Sequence, residues 1–422
     1  MLIGILFLIL SYGLTAAFPS KLRHIYALIL SSRLVIVFLN LTIGLPGGRG
    51  DAIYFFNQAL NVKYLYPIQS DAINEHLCQI SVQGNSFVKC LFAGNLSFKV
   101  IHALIQSLTP AGSFFASHCL SILISGIAIY YLYKTFDLFQ ISSLKAKKIL
   151  IIVYGLIPSI ATFQSYVLRE CFQSLVIIFI TYFIVKFYLL REHSIFEKCL
   201  CVFLSIFSLT LHPIFFLITP SLFIVPFLCV NNIFDFPNFK KNLNIYLSIS
   251  WVLVLLIVLG AMFFIFAKDY FYMLRFLLTY GPFDFISKFL SGSISEAIDA
   301  KAQYGIFFDS NNIFSSFYAL VIYLVAPIGF SSRLMDLVLY PEKIFVLFSV
   351  FKYVYKRNSF ISREKIIMDS MILNWLIISI LFSLGTTNWG TAARHQVISF
   401  SLVLIPFIYS SINIPSINKT TK

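Results

Sequence analysis

Residues 171–190 read CFQSLVIIFITYFIVKFYLL, a stretch in which Lys186 is the one charged residue. About 20 consecutive apolar residues are enough for a helix to cross the hydrocarbon core of a bilayer. Inside lipid the backbone has to satisfy its own hydrogen bonds, which an α-helix does within one segment. The stretch therefore predicts a transmembrane helix. Lys186, near its end, is expected to reach the interface or to pair for structure.

Apolar runs of this kind recur along the whole chain of 422 residues. The sequence is 59% hydrophobic and 11% charged, whereas soluble domains carry about 25% charged residues. A soluble globular enzyme, a disordered chain and a disulfide-rich secreted domain are therefore excluded. The runs are also continuous and longer than the alternating strands, of about ten residues, in a membrane β-barrel. The predicted segments are 2–18, 25–45, 113–133, 149–166, 171–190, 198–211, 213–231, 245–267, 313–330, 339–353, 368–385 and 396–413.

These segments predict an all-α fold, a polytopic transmembrane helix bundle of about 11–12 segments. Nothing outside them is large enough for a separate soluble domain, so residues 1–422 are expected to form a single integral membrane domain. Two long loops, 46–112 and 268–312, are expected on the extracytoplasmic side.

The 31 Lys and Arg residues outnumber the 17 Asp and Glu residues, which leaves a net charge of +14. No contiguous basic face accompanies this surplus, so nucleic acid is not an expected partner. The basic residues fall instead in short loops between apolar runs, the positive-inside pattern of cytoplasmic loops. If the N-terminus lies outside, the stretches on the opposite, outer side are 46–112, 167–170, His212 and 386–395.

The crossing count between Lys268 and Lys352 stays open in this topology. An odd number of crossings is required there, but 313–330 and 339–353 are two runs. Either one of these runs is re-entrant, or 270–290 crosses the membrane in spite of its charges.

The seven cysteines give no metal-binding motif. Cys199 and Cys201 have neither a second pair nor a neighbouring His, so we predict no metal site and no cofactor. Cys78 and Cys90 share the loop 46–112, and a disulfide between them is plausible if that loop faces an oxidising compartment. The five cysteines outside the loop lie in or at the ends of apolar segments and are interpreted as small hydrophobic residues.

A charge inside a membrane segment needs a partner or solvent. Arg33, in the middle of segment 25–45, is therefore expected to hold an anion, a carboxylate or a phosphate. The glycine-rich stretch 44–55, GLPGGRGDAIYF, allows close backbone approach and an anion nest, and Arg49 adds a fork for phosphate. Asp51 is a candidate general base, or a group that positions Arg49 or a sugar hydroxyl. The alternative is a flexible interfacial turn that ends the helix.

Three further places hold polar residues at the ends of apolar segments. Arg169 and Glu170 are adjacent in the turn before the quoted stretch, where they form either a solvated cap or part of a diphosphate site. His212 precedes a proline that breaks an apolar run, and it is either a cap or a catalytic or phosphate-contacting group. Arg394 and His395 open the last segment, as a structural cap or as another phosphate contact.

The positive-inside topology brings these polar residues to one membrane face, although they are distant in sequence. Basic residues are normally depleted on that face, so their concentration there indicates an anionic ligand such as a lipid-linked phosphate. The set comprises Arg49, Asp51, Arg169, Glu170, His212, Arg394 and His395. Acidic residues of the second loop are candidates for a further carboxylate, with no choice among Asp269, Asp284, Glu296, Asp299 and Asp309.

The early part of the chain resembles a known group of proteins. A segment with Arg33 inside it leads into Gly50-Asp51-Ala52 followed by Tyr54. This arrangement is similar to bacterial polytopic glycosyltransferase-like proteins of exopolysaccharide and O-antigen clusters.

The later motifs resemble the Wzy/EpsG-type polysaccharide polymerases. In that group an arginine that opens one helix and a histidine after the next recur, as Arg169 and His212 do here, and Arg394 before an apolar helix is similar too. Asp51 better matches the loop aspartate of GT-C enzymes that use a polyprenyl-phosphate sugar. It departs from that pattern because it follows the second segment instead of the first.

The resemblance implies a GT-C-like transferase of the bacterial inner membrane that joins undecaprenyl-linked sugar repeats into a surface polysaccharide at the extracytoplasmic face. The phosphate would be held by Arg33, Arg49, Arg169, Arg394 and His395. The acceptor hydroxyl would be deprotonated by Asp51, His212 or Glu170. The implied partners are a polyprenyl-(di)phosphate-linked glycan, membrane lipids and a chain-length regulator or flippase of the same pathway.

Two other functions stay open. A transporter or flippase of lipid-linked oligosaccharide is expected to show paired halves with broken helices, and no paired halves are found. A membrane acyltransferase that modifies sugars would need a His-containing catalytic motif in a polar loop, for which His76 and His212 are poor candidates.

Overall fold

The computed structural model describes residues 2–44, 52–57, 59–60, 96–108, 113–141, 143–192, 194–212, 214–230, 313–325, 334–360, 362–385 and 389–412. All regular structure within these ranges is helical, and they contain no strand. The predicted all-α class is therefore confirmed. The helices are α1 (Leu2–Gly13), α2 (Ser20–Thr42), α3 (Leu96–Ser107), α4 (Phe114–Asp137), α5 (Leu144–Leu156), α6 (Pro158–Phe163), α7 (Glu170–Leu190), α8 (Ile195–Leu211), α9 (Phe215–Val230), α10 (Ile313–Val325), α11 (Leu334–Lys356), α12 (Ser362–Gly385) and α13 (Trp389–Ser411).

Five of the described helices are long and apolar enough to cross a membrane. The 21 residues of α7 extend over roughly 31 Å at 1.5 Å per residue, which matches a hydrocarbon core of about 30 Å. The chain is therefore a polytopic helical bundle with candidate spans over Ser20–Thr42, Phe114–Asp137, Glu170–Leu190, Glu364–Ser383 and Thr391–Ser411. Shorter apolar helices cover Leu2–Ala17 and Leu217–Cys229.

The quoted stretch forms α7, which packs between α4 and α13 at the centre of the described bundle. The prediction of one segment over 149–166 is wrong, because two helices, α5 and α6, occupy this region. Pro158 has no N–H for an intrahelical hydrogen bond, so it ends α5 and occupies the first position of α6. The chain is then non-helical from residue 164 to residue 169, until α7 begins at Glu170.

Part of the predicted long loop 46–112 is helical, since α3 lies within it. Segment 245–267 and loop 268–312 lie outside the described residues, as does most of the region on which the crossing count depends. Cys78 and Cys90 lie outside them too.

Ion pairs cluster at one end of the bundle, which we call the basic end. Lys186, near the end of α7, donates to both carboxylate oxygens of Glu197 in the first turn of α8, at 2.6 and 2.8 Å. Arg357 pairs with Asp369 of α12 at 2.6 Å. The ion pair between Lys186 and Glu197 is one of the two arrangements expected for Lys186 from the sequence.

The opposite end of the bundle, where α7 and α13 begin and α8 and α12 end, is called the site end.

Two glycines let helices approach closely near the middle of the bundle. A Cβ built on Gly155 of α5 would lie 2.5 Å from Ile29 Cδ1 of α2. A Cβ on Gly126 of α4 would lie 2.5 Å from the hydroxyl of Tyr26. Small residues at such crossings are common between membrane helices, because they allow the backbones to come together.

Candidate functional site

A buried ion pair joins the starts of α7 and α13 at the site end. Nε and Nη2 of Arg394 donate to Oε1 of Glu170 at 2.9 and 2.7 Å, across 224 positions of sequence. The Glu170 side chain is 0% exposed and that of Arg394 is 11% exposed. Charge-assisted hydrogen bonds of this kind hold an arginine in one orientation. Glu170 therefore orients Arg394 and fixes α13 against α7.

Two imidazoles and one phenyl ring lie beside this ion pair. The ring of His395 stacks on Phe382 with centroids 4.1 Å apart and planes at 26°. The ring centroid of His212 lies 6.0 Å from that of Phe382 and 6.2 Å from that of His395. Three helix ends, those of α8, α12 and α13, thus meet around one aromatic cluster.

His212 has a defined tautomer in this arrangement. Its Nδ1 lies 3.2 Å from the backbone N–H of Ile214 and accepts from it, so the ring proton of the neutral form resides on Nε2. Burial lowers the pKa of His212 well below its ordinary value of 6.5, and the nearby guanidiniums of Arg169 and Arg394 lower it further. His212 therefore presents a neutral Nε2–H donor near pH 7. This geometry favours contact with an oxyanion over the predicted role as a base.

Arg169 caps the start of α7 and contributes a second guanidinium to the site end. Its carbonyl accepts the backbone N–H of Gln173 at 3.0 Å, which fixes the backbone of Arg169 in the first turn. Arg169 and His212 are partly exposed residues, whereas Arg394 and His395 are buried. A ligand that enters from this end would therefore meet Arg169 and His212 first.

The structure thus brings together five of the eight predicted site residues. They are Arg169, Glu170, His212, Arg394 and His395. The two guanidiniums outnumber the single carboxylate, and two imidazoles adjoin them, so the described part of the site is suited to an anion. Arg49 and Asp51 of the glycine-rich stretch lie outside the described residues, as do the acidic residues of the second loop.

Arg33 occupies a different place, in a buried polar network between α2, α4 and α5. It is 0% exposed, and its Nη1 donates to Gln164 Oε1 at 3.1 Å. Ser125 donates to the same oxygen at 3.0 Å, and Gln164 Nε2 donates to the Tyr154 hydroxyl at 2.9 Å. Its hydrogen-bond partner among the described residues is thus a neutral amide, and no described carboxylate pairs with it. The buried guanidinium holds Gln164 through Nη1, whereas its Nε and Nη2 have no hydrogen-bond partner in the described part of the chain.

The network supports the segment that leads to the site. Gln164 is the first non-helical residue after α6, and the carbonyl of the next residue, Ser165, lies 2.7 Å from Nδ1 of His118. These contacts anchor the start of the segment whose end carries Arg169 and Glu170. Non-helical backbone is tolerated at membrane depth where protein buries it, and most side chains of this segment are buried.

Sequence reasoning did not identify Gln164 and Phe382 as parts of these clusters. Gln164 carried a usable signal, because it is a polar residue inside a predicted apolar segment. Phe382 carried none, since phenylalanine is frequent throughout the chain. In the described ranges no group of three His, Cys, Asp or Glu side chains is arranged to hold a metal ion.

Comparisons with known proteins return no relative for this chain. No protein-family model matches the sequence, and searches of the curated proteins and of the solved structures found no match.

Proposed function

We propose that the protein is an integral membrane glycosyltransferase that acts as a polysaccharide polymerase on polyprenyl-diphosphate-linked sugars. The single observation that carries this proposal is the gathering of Arg169, Arg394, His212 and His395 around one buried carboxylate, Glu170, at the site end. By the positive-inside rule this is the extracytoplasmic end, where cationic side chains are normally depleted.

The location of the cationic residues suits a lipid-linked anion. They lie where transmembrane helices begin and end, which is the depth at which the diphosphate of a membrane-embedded lipid is found. Arginine forks bind phosphate oxygens in a fixed, bidentate geometry. Partial burial strengthens this attraction because the local dielectric constant is lower than that of water.

The proposed reaction transfers the glycan from its lipid diphosphate to a hydroxyl of an incoming lipid-linked repeat. The bond between C1 of the donor sugar and the diphosphate oxygen breaks, and its electron pair stays on the diphosphate. A bond forms between C1 and the acceptor oxygen, whose proton passes to a base. Arg169 and Arg394 stabilise the charge that develops on the leaving group, and the Nε2–H of His212 donates to it.

We assign different roles to the two candidate acids. Glu170 is engaged by Arg394, so we assign it a positioning role within this mechanism. The base is sought among carboxylates outside the described residues, with Asp51 as the first candidate, followed by the acidic residues of the second loop. A GT-C-like arrangement, the bacterial inner membrane and a chain-length regulator or flippase as partner belong to the same proposal.

A second candidate function is transport of a lipid-linked oligosaccharide. The observation that favours it is the break of the predicted apolar segment 149–166 between α5 and α6, followed by the non-helical segment 164–169. Broken helices at substrate sites are typical of secondary transporters. The same cationic residues would then bind the diphosphate without breaking a bond.

Purified protein in liposomes separates the two functions. The proposal expects elongation of lipid-linked repeats, seen as a ladder of longer glycans on a gel, without any membrane gradient. Arg394→Met and Arg169→Gln are expected to abolish the ladder, whereas Lys147→Gln, which removes a pair with Asp137 at the basic end, keeps it. Gradient-dependent movement of the lipid-linked glycan without elongation would instead establish the transporter. A normal ladder from folded arginine variants would overturn the proposed site.

A further inference from the structure

Helices α2 and α5 pack side by side and start at the basic end. They run in the same direction, because Ile29 meets Gly155 and Arg33, one turn later, contacts Gln164, which follows α5 and α6. Gly155 of α5 meets Ile29 of α2, and each residue lies about three turns from the start of its helix. Both helices therefore begin at the same level. A surface formed by the two first turns and the lipid-facing sides above them is called the α2–α5 face.

Cations without acidic partners occupy the lower part of this face. Lys21 of α2 and Lys145 of α5 are exposed, and Lys148 is partly exposed. Neither helix contains an Asp or a Glu. Among the described residues no ion pair involves Lys21, Lys145 or Lys148, whereas their neighbour Lys147 pairs with Asp137.

Exposed apolar side chains continue the same helix faces towards the middle of the membrane. On α2, Lys21 is followed at spacings of seven by Leu28 and Val35, which are 61% and 55% exposed. On α5, Lys145 is followed at spacings of four and three by the exposed side chains Ile149 and Ile152. Each helix thus presents cations at the basic end and an apolar surface directly above them.

We infer that the α2–α5 face binds an anionic phospholipid, whose phosphate contacts Lys21, Lys145 and Lys148 and whose acyl chains lie along the apolar surface. The match is one of charge and of shape, because the lipid carries its phosphate and its chains in the same order. Basic groups between membrane helices at the cytoplasmic side are known to bind such head groups. This inference concerns the end opposite the candidate site and does not depend on the proposed function.

Three other cations of the described basic end contact protein groups. Lys365 donates to Asn358, and Arg357 is paired with Asp369. Lys352 lies 5.0 Å from the ring centroid of Phe407. These cations are engaged by protein groups, so they provide a control with the same charge at the same end.

Native mass spectrometry of the delipidated full-length protein tests the inference. The protein is titrated with phosphatidylglycerol, with phosphatidylcholine and with inorganic phosphate. We expect at least one phosphatidylglycerol to bind about tenfold or more tighter than phosphatidylcholine. The triple variant K21Q/K145Q/K148Q should lose this preference, whereas the triple arginine variant K21R/K145R/K148R and the control K352Q/R357Q/K365Q should keep it.

Three results would overturn the inference. Equal binding of the two lipids would remove any head-group selectivity. An equal loss in the two glutamine triples would reduce the effect to the overall surface potential. Displacement of the lipid by inorganic phosphate would assign the cations to a soluble anion. Folding of each variant is checked by its elution as a single species. If the glutamine triple does not fold, the double variant K21Q/K145Q is titrated in its place and should lose most of the preference.

Discussion

Replacing Glu170 by Gln should weaken both the bundle and the candidate site. Glu170 is fully buried and accepts two hydrogen bonds from Arg394, so its charge neutralises a guanidinium that has little access to water. Breaking a buried ion pair costs about 3–5 kcal/mol. The amide oxygen of Gln still accepts from the guanidinium, and such a bond to a charged donor contributes about 1.5–3 kcal/mol. We therefore expect Glu170→Gln to lower the free energy of unfolding by about 2 kcal/mol.

The assay is equilibrium unfolding of the purified protein in mixed micelles by added SDS, arranged as a double-mutant cycle. Arg394→Met leaves a buried carboxylate without its partner, so we expect a loss of about 3–5 kcal/mol. Glu170→Gln combined with Arg394→Met removes both charges and should be less destabilising than the sum of the two single changes. Arg357→Gln is the control, because that partly exposed pair should contribute about 1 kcal/mol or less. Additivity of the two single changes within about 0.5 kcal/mol would refute the reasoning.

Three further predictions concern packing, the buried network and pH. In the same unfolding assay, Gly155→Ala should destabilise the protein by about 1–3 kcal/mol, because the new methyl group would overlap the facing isoleucine of α2. The control Gly13→Ala has open space around it and should be neutral, so equal effects of the two changes would contradict the close approach of α2 and α5. Gln164→Ala should lower the free energy of unfolding by about 1–3 kcal/mol, because it leaves the buried guanidinium of Arg33 without its acceptor. Gln164→Glu keeps an acceptor and should be more stable than Gln164→Ala, and the reverse order would be inconsistent with this network. His212, in the connection between α8 and α9, has a lowered pKa, so activity that needs its neutral form should persist as the pH falls below 6.5. Arg169→Gln removes a cation that lowers this pKa, so the acid limb of the pH–rate profile of its residual activity should move to higher pH. An unchanged acid limb would argue against the electrostatic contact between Arg169 and His212.

Local patterns were sufficient for most of the fold. The apolar stretch 171–190 predicted α7 within one residue, because length and hydropathy decide whether a segment can lie in a bilayer. The interruption at Pro158 was missed, although it follows from proline lacking an N–H. The topology argument also brought Arg169, His212 and Arg394 to one end, since each lies at the end of an apolar segment.

Specific partners could not be derived in the same way. The hydrogen bonds between Arg394 and Glu170 join residues 224 positions apart, and no local pattern encodes such a pair. Arg33 was assigned to an anion because a membrane charge needs a partner, but its neutral acceptor, Gln164, is set by the packing of α2 against α5 and α6. The tautomer of His212 depends on the backbone N–H of Ile214, which is a property of the turn after α8.

The central claim is that the site end binds a lipid diphosphate through its guanidiniums. Its most direct test is the affinity of the purified protein for a short-chain polyprenyl diphosphate, measured by calorimetry beside the matching polyprenol without phosphate. We predict that the diphosphate binds at least about a hundredfold tighter than the alcohol, and that Arg169→Gln and Arg394→Met each remove most of the difference. Equal affinities for the diphosphate and the alcohol, or an undiminished preference in both folded arginine variants, would contradict the claim.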